Sequence, residues 1–338
     1  MPDLDIDAIT GHRRPRRNRR TPWIRRMVAE NRLTVDDLIM PIFLIEGDDA
    51  EEPIDAMPGT KRYTVDRAVE IVARAAALGI PAVAPFPNVA LEKRDRTGSE
   101  ITNPDNLICR FVRAVKAAVP DIGVITDSAL DPFTDHGHDG VLRDGIIVND
   151  ESVAQIVAGA LVQARAGADI IAPSDMMDGR IGAIRRALDA AGFQDVAIMS
   201  YTAKYASGFY GPYREAIGTD GLLQGDKKTY YIDPANSADA MREAEADLAE
   251  GADMIMVKPG MPYLDIVRRM KDTFDAPVFA YQVSGEYSMI ELAGLAGVID
   301  RERVMMESLL AFKRAGADGI LTYHALEVAE RLVADSSL

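Results

Sequence analysis

The 338-residue sequence contains very little cysteine and few aromatic residues. Its single cysteine, Cys109, excludes an intramolecular disulfide and any zinc cluster built from several thiolates. Aromatic residues make up 6% of the chain and hydrophobic residues 48%, a balance typical of a soluble α/β protein. No segment has 18 uninterrupted apolar residues, and the first residues lack the apolar core of a signal peptide. We therefore expect a cytoplasmic protein.

Positive charge is also scarce, and it is unevenly distributed. The formal net charge of −15 argues against nucleic acid as the main partner. Residues 1–35 nevertheless hold nine arginines against four acidic residues, a net +5, which leaves −20 for the remainder. Because this segment lacks core periodicity, we predict an N-terminal arm that packs on the acidic body of a neighbouring subunit, with Trp23 as an apolar anchor. A disordered basic tail and a nucleic-acid-binding arm are the alternatives.

Short apolar runs alternate with helical patterns after residue 36. The runs are 38–45, 82–86, 123–126, 169–172, 196–201, 254–257, 277–283 and 319–323, and Ala-rich amphipathic segments such as 65–80, 151–168 and 237–252 lie between most of them. A repeated AGAD or EGAD string, at 166–169, 250–253 and 315–318, indicates a helix that stops at glycine before a strand starts.

Eight runs separated by helices predict a (β/α)8 TIM barrel over residues 36–338. A doubly wound open sheet is the alternative. It is disfavoured because no G-x-G-x-x-G motif follows an early strand.

Two lysines stand at the ends of predicted strands. Lys258 directly follows the apolar run 254–257, and Lys204 lies just past the run 196–201. In a parallel barrel both amines would share one face, where burial and mutual repulsion lower the pKa. A neutral amine is what an imine-forming lysine needs, so the pair suggests covalent chemistry on carbonyl compounds. A lysine whose ammonium simply reaches solvent at a strand end is the alternative.

Other polar side chains follow the same strand ends, where barrel enzymes place their active sites. The strand-end positions besides the two lysines are the polar residues Asp127, Asp131, Ser174, Asp175, Ser284 and Tyr323, together with the apolar Phe86. The loop 127–142 also contains His136 and His138 among aspartates, a set that magnesium or adventitious zinc could use. We prefer a role for the two histidines in shaping the loop.

Four strings carry a resemblance to a known family. MVKPGMPYLDI (256–266), KYASGFYGP (204–212), SDMMDGR (174–180) and YQVSGEY (281–287) closely resemble 5-aminolevulinate dehydratase, also called porphobilinogen synthase. The resemblance covers nearly the whole chain. It implies the condensation of two 5-aminolevulinates to porphobilinogen with loss of two waters, an early step of tetrapyrrole (haem) synthesis. It also implies a homo-octamer whose N-terminal arms wrap adjacent subunits.

Two other functions remain open alternatives at this point. Another lysine-imine barrel aldolase would need a phosphate-binding, Gly-rich loop after the last strands, which the sequence lacks. A non-enzymatic protein assembled through its arm would leave the two strand-end lysines unexplained.

The resemblance also implies roles for individual residues. Lys258 would form the imine with the substrate that becomes the propionate side, and Lys204 with the one that becomes the acetate side. Near Lys204, Asp131 and Asp139 would orient the substrate amine or water. The remaining implied contacts are Arg214 and Lys227, in the lid-like segment 209–231, for one substrate carboxylate, and Ser284 and Tyr323 for the other. Tyr231 stands where the family usually has glutamine, which leaves a third carboxylate contact open.

Metal use is the last point the resemblance bears on. Zinc-using members place three cysteines where this chain has Ala129, Asp131 and Asp139, so no catalytic zinc is expected, and no organic cofactor either. Magnesium-stimulated members use a Glu-x-x-x-Asp helix motif, matched here by Glu243 and Asp247. The implied allosteric Mg²⁺ would be water-rich and held mainly by Glu243. Its second shell would be Asp247, Asp178 and Arg13 (or Arg14), with the arginine supplied by the arm of another subunit.

Overall fold

A closed barrel of eight parallel strands forms the centre of the computed structural model, which describes residues 14–336. The strands are β1 (Leu38–Leu44), β2 (Ala82–Pro87), β3 (Gly123–Thr126), β4 (Ile170–Ile171), β5 (Ala197–Lys204), β6 (Met254–Lys258), β7 (Val278–Gln282) and β8 (Gly319–Thr322). Each strand pairs with the next, and β8 closes the ring by pairing with β1. The TIM-barrel prediction is confirmed, and every predicted apolar run overlaps a barrel strand.

Helices surround the barrel and connect its strands. They are α1 (Pro22–Met27), α2 (Val65–Ala77), α3 (Leu107–Ala118), α4 (Asn149–Ala166), α5 (Arg180–Ala190), α6 (Gly211–Ala216), α7 (Ala238–Glu250), α8 (Leu264–Thr273), α9 (Ser284–Leu295), α10 (Arg301–Ala315) and α11 (Ala325–Ser336). Short 3-10 turns occur at Pro15–Arg19, Val35–Asp37, Leu91–Lys93, Ser99–Thr102, Gly208–Tyr210 and Met261–Tyr263. Short antiparallel strands pair outside the barrel, Glu51–Pro53 with Lys61–Tyr63 and Val141–Arg143 with Ile146–Val148. No described helix is both long and apolar enough to cross a bilayer.

The repeated AGAD and EGAD strings form one recurring turn. Their glycines, Gly167, Gly251 and Gly316, end α4, α7 and α10 in the left-handed region, with φ of 106°, 108° and 103°. The aspartate two residues later accepts a 2.7 Å hydrogen bond from the neighbouring strand: Asp169 from the N–H of Val124, Asp253 from Ile198, and Asp318 from Val278. These carboxylates fix the register of strand pairs at the end of the barrel opposite the lysines.

The described part of the N-terminal arm adds no buried residue to the core, although Leu33 and Val35 at its end pack against it. Neither the Pro15–Arg19 turn nor α1 contains a buried residue, and the side chain of Trp23 is 59% exposed. Residues 1–13, including Arg13, lie outside the described part of the chain. The packing of this arm on a neighbouring subunit stays a prediction.

Candidate active site

Two buried lysines lie side by side at the carboxyl ends of β5 and β6. Lys204 and Lys258 are direct register partners in the parallel pair, and their exposed fractions are 4% and 5%. Both line a cavity of about 270 Å³ at this end of the barrel. The cavity is also lined by Asp131, Ser174, Tyr210, Tyr213, Arg214, Lys227, Lys228 and Tyr231, among others. The predicted meeting of the two amines on one face is therefore confirmed.

Lys204 lies among oxygen atoms. Its Nζ donates to the carbonyl oxygen of Ser174, to Ser174 Oγ at 3.1 Å and to Asp139 Oδ2 at 3.4 Å. Ser174 Oγ in turn donates to Asp127 Oδ2 at 2.6 Å. The ring of Tyr231 lies 4.5 Å from the amine. This network satisfies the hydrogen-bond donors of a charged ammonium.

Lys258 lies among aromatic rings instead. Its Nζ is 4.7 Å from the ring centre of Tyr281, 5.1 Å from Tyr201, 5.2 Å from Tyr213 and 5.6 Å from Tyr210. None of the described residues accepts a hydrogen bond from this amine. Burial, and secondly the charge of Lys204, lower the pKa of Lys258 to about 7. A sizeable neutral fraction near pH 7 agrees with the sequence prediction.

Two aspartates near Lys204 have pKa values displaced in opposite directions. Asp139 accepts hydrogen bonds from Lys227 Nζ at 2.8 Å and from the Tyr231 hydroxyl. Burial opposes ionisation of Asp139, but the ammonium groups of Lys204 and Lys227 outweigh it and hold its pKa well below the usual range. Burial and the charge of Asp139 raise the pKa of Asp131 above the usual range. Because their pKa values are displaced in opposite directions, Asp139 is suited to remain a carboxylate and Asp131 is suited to exchange a proton.

The segment 209–231 lies over the cavity as a lid, and two arginines hold it at the carboxyl end of α6. Arg62 donates to the carbonyl oxygens of Glu215 and Ala216 at 2.6 and 2.7 Å, just past the position of Arg214 on α6. Arg94, which is 7% exposed, donates to the carbonyl oxygen of the next residue, Ile217, at 2.9 Å. Guanidinium groups thus satisfy the carbonyls at the carboxyl end of the helix that places Arg214 at the cavity.

The two histidines of the loop 127–142 hold this loop in place. The ring of His138 hydrogen-bonds the carbonyl of Gln224 at 2.7 Å and the hydroxyl of Tyr230 at 2.9 Å, so it links the loop to the lid. His136 hydrogen-bonds the carbonyl of Arg96 at 3.2 Å. These contacts agree with the interpretation that both histidines shape the loop.

Two of the predicted carboxylate-binding residues lie beside the tyrosines that surround Lys258. Ser284 Oγ accepts the backbone N–H of Tyr213 at 2.9 Å, and the Tyr323 hydroxyl lies 2.9 Å from that of Tyr281. Lys227, predicted to bind the other carboxylate, contacts Asp139 and lies 3.9 Å from Asp131. The predicted substrate contacts of Ser284, Tyr323, Arg214 and Lys227 stay predictions.

Known proteins that resemble this chain share one description. A sequence profile of the family described as delta-aminolevulinic acid dehydratase matches residues 12–331. A protein of that name from Bradyrhizobium diazoefficiens is 62% identical over 331 residues, which cover 98% of this chain and 92% of the relative. One from Rhodobacter capsulatus is 53% identical, with 92% of this chain and 94% of the relative covered.

A solved structure agrees with these relatives. It is delta-aminolevulinic acid dehydratase (porphobilinogen synthase) from Toxoplasma gondii in complex with porphobilinogen. It superimposes with a TM-score of 0.94 at 46% identity, over 96% of this chain and 92% of that one. This chain belongs to the delta-aminolevulinic acid dehydratase family. The predictions of an enzyme, of the lyase class and of porphobilinogen synthase activity are confirmed by that membership.

Two of the residues predicted for magnesium line a second cleft, outside the lysine cavity. Glu243 lines it with Asp178 and Asp239, and burial together with the charge of Asp247 raises the pKa of Glu243 to about 6. Asp247 is buried and accepts hydrogen bonds from Ser200, Thr202 and Arg180, at 2.6, 2.9 and 3.3 Å. Within residues 14–336, no three His, Cys, Asp or Glu side chains are arranged to hold a metal ion.

Sequence reasoning missed the aromatic surroundings of Lys258 and the Asp127–Ser174 pair behind Lys204. Tyr201, Tyr210 and Tyr213 all occur in the string around Lys204, yet the structure places them around Lys258. The density of tyrosines in that string was the available signal for an aromatic site in this family member.

Proposed function

We propose that this dehydratase binds its two 5-aminolevulinate molecules as imines, one on Lys258 and one on Lys204. The observation that carries the proposal is the register pairing of two buried amines in one cavity. Lys258, with its lowered pKa, presents the neutral amine that adds to a ketone near pH 7.

Each imine accounts for one of the two waters lost. The lysine amine adds to the ketone carbon of one substrate, and the ketone oxygen leaves as water when the C=N bond forms. On Lys204 the imine acidifies the adjacent carbon, which loses a proton and becomes an enamine. The enamine carbon attacks the imine carbon on Lys258, and that lysine leaves as the amine when the attacking carbon loses its second proton. The amino group of the substrate on Lys258 attacks the imine carbon on Lys204 and expels the second lysine. Loss of a last proton gives the pyrrole, and the two bonds can form in either order.

The aspartate pair would manage charge and protons during these steps. Asp139, held ionised by neighbouring ammonium groups, would stabilise a positively charged imine on Lys204. Asp131, with a raised pKa, would exchange protons with the substrate amine or with the enamine carbon. Lys227 and Arg214 would bind one substrate carboxylate, and Ser284 and Tyr323 the other.

Borohydride reduction in the presence of 5-aminolevulinate, followed by peptide mapping, tests the two imines. We expect substrate-dependent labels on both Lys204 and Lys258. The matched control is Lys228, which also lines the cavity but has an exposed side chain, and it should stay unlabelled. Labelling of neither Lys204 nor Lys258 would overturn the proposal.

We propose further that no catalytic zinc acts beside Lys204. Asp131 and Asp139 replace two thiolate positions, Ala129 cannot ligate, and Asp139 already accepts hydrogen bonds from two ammonium groups and a phenol. A divalent cation there would compete with two lysines for one carboxylate. Full activity after exhaustive treatment with a zinc chelator is the expected result, and activity restored by zinc alone would contradict it.

We also propose a magnesium-stimulated enzyme whose allosteric ion is held mainly by Glu243. The support is the cluster of acidic side chains around Glu243, whose mutual repulsion a bound cation would reduce. Asp247 already binds Arg180, so it would contact the ion only through water, and Asp178 would do the same. Arg13 of another subunit would complete the site. Calorimetric titration with Mg²⁺ should show binding that Glu243→Gln removes and Glu245→Gln, on the same helix, leaves intact. Equal binding by both variants would exclude this site.

The assembled form would be a homo-octamer built through the arm, in which Trp23 is the apolar contact. The exposure of Trp23, and the lack of buried residues in the Pro15–Arg19 turn and α1, support this. Light scattering coupled to gel filtration should give an octameric mass, reduced in the variant Trp23→Ala. A monomeric mass for the unaltered chain would contradict the proposal. A cytoplasmic location stays a prediction.

A further inference from the structure

A buried carboxylate, Glu286, lies directly behind the turn that follows Lys258. It is 1% exposed, and none of the described residues forms an ion pair with it. Burial raises its pKa to about 8, opposed only by backbone N–H groups. A buried acid with no cationic partner is costly, so its contacts need an explanation.

Those contacts join two strand-end loops. Glu286 Oε1 accepts the N–H of Met261 at 2.5 Å, three residues after Lys258. Glu286 Oε2 accepts the N–H of Val283 at 2.5 Å, directly before Ser284. The N–H of Gly260 also interacts with this carboxylate. One side chain therefore connects the loop after β6 to the start of α9.

The turn is also confined on its other side. A Cβ added at Gly260 would lie 2.3 Å from the ring of Phe312 and 3.0 Å from the carbonyl oxygen of Tyr281. The backbone after Lys258 is thus held between an aromatic ring and the Glu286 carboxylate. Tyrosine rings surround the amine of Lys258, and none of the described side chains accepts a hydrogen bond from it. Its placement depends on its backbone.

We infer that Glu286 is a positioning residue for Lys258, and that it fixes the distance between this amine and the hydroxyl of Ser284. The inference rests on the proposed function, since it concerns the imine that forms on Lys258. Glu286 does not line the cavity, and it acts through the backbone of residues 260, 261 and 283. Lys204, on the neighbouring strand, has its own hydrogen bonds and does not depend on this carboxylate.

Borohydride trapping with 5-aminolevulinate tests this by comparing the two lysines within one protein. In Glu286→Gln, an NH2 group replaces one carboxylate oxygen, so one of the two backbone N–H groups loses its acceptor. We expect the ratio of label on Lys258 to label on Lys204 to fall about ten- to a hundredfold, the scale of leaving a buried N–H without its acceptor. A general loss of folding would lower both labels together and leave the ratio unchanged.

Glu291→Gln is the matched control, because Glu291 lies on the same helix, is 7% exposed and accepts hydrogen bonds from Arg301 at 2.8 and 2.9 Å. It should keep the label ratio of the unaltered protein. If Glu286→Gln does not fold, Glu286→Asp replaces it, since the shorter acid can reach the N–H of Val283 but not that of Met261. An unchanged ratio in the folded variant, with both lysines labelled in the unaltered protein, would overturn the inference alone. Absence of both labels in the unaltered protein would instead overturn the proposed function.

Discussion

Lys204 and Lys258 are chemically identical and lie opposite each other on neighbouring strands, yet their surroundings differ in almost every respect. Lys204 donates to a carboxylate, a hydroxyl and a carbonyl, whereas Lys258 faces four tyrosine rings. Burial, and secondly the charge of Lys204, lower the pKa of Lys258. The comparison shows that one sheet edge can hold two amines in different chemical surroundings, because each amine's neighbours come from different loops.

The different surroundings of the two amines suit two substrate molecules that react differently, one as the nucleophile and one as the electrophile. The amine of Lys258 can attack a ketone without first losing a proton to another group. An imine on Lys204 forms next to Asp139, whose negative charge favours the cationic form that acidifies the adjacent carbon. The enamine would therefore form on the Lys204 side and the electrophile on the Lys258 side, in agreement with the roles proposed above.

The largest effect should come from removing either amine. Lys258→Met and Lys204→Met should each lower kcat by roughly 10⁴-fold or more, the scale seen when a covalent nucleophile is removed. The two variants should differ in trapping: each should retain the substrate label on the remaining lysine. Steady-state assays and peptide mapping give both readouts. Substantial turnover by either variant would show that one imine is enough.

The same two variants should change stability in opposite directions. Methionine at position 258 removes a buried amine that has no hydrogen-bond acceptor, so we expect stabilisation by roughly 2–4 kcal/mol near pH 7. Methionine at position 204 leaves the buried charge of Asp139 with one cation fewer, so we expect destabilisation by about 1–3 kcal/mol. Urea unfolding at matched protein concentration measures both.

The stabilisation by Lys258→Met should depend on pH in a defined sense. The pKa of Lys258 is about 7 in the folded chain and 10.5 for an ordinary lysine, so between these values only the unfolded chain binds the proton. The penalty for burying Lys258 is full below pH 7 and shrinks as pH rises toward 10.5. The advantage of the variant should therefore be smaller at pH 9.5 than at pH 7. An advantage that grows with pH would contradict the lowered pKa.

The aspartates next to Lys204 should show the next largest effect. Asp139→Asn removes the carboxylate that faces Lys204 and Lys227, and kcat should fall about 100- to 1000-fold. Asp131→Asn should cost less, about 10- to 100-fold, because it removes a proton-exchanging group but leaves the ion pairs of Asp139 with Lys204 and Lys227 intact. The kinetics of both variants, measured side by side, test this order. The reverse order would assign the main electrostatic role to Asp131.

The barrel and both lysines could be predicted from sequence because their signals are local. Each barrel strand is a short apolar run, and the left-handed glycines at Gly167, Gly251 and Gly316 end the helices between them. Lys204 and Lys258 follow two such runs, so their meeting required only the parallel topology. The surroundings of each amine were not predictable in this way. Tyr281 reaches Lys258 from another strand, and Tyr213 reaches it from the lid.

The contacts of the lid residues could not be predicted from the sequence either. Resemblance assigned Lys227 to a substrate carboxylate, but the structure pairs it with Asp139 at 2.8 Å. Which partner a flexible ammonium takes depends on where the lid lies, and no local pattern encodes that position. The anchors of the lid, Arg62 and Arg94, are more than 100 residues away from it in sequence.

The smallest expected effect comes from substituting Tyr231. The substitution distinguishes two roles for its hydroxyl, a hydrogen bond to Asp139 or a contact with a substrate carboxylate. Its hydroxyl donates to Asp139, and its ring lies 4.5 Å from Lys204 Nζ, so it belongs to the charged side of the comparison. Tyr231→Phe removes the hydroxyl alone and should lower kcat about tenfold with little change in KM, the scale of one lost hydrogen bond to a charged group. Tyr205→Phe, which loses a 3.1 Å bond to the carbonyl of Asn236, is the matched control and should leave kcat unchanged. If Tyr231 instead binds a substrate carboxylate, KM should rise and kcat should hold, because that contact would be lost equally in the bound substrate and the transition state.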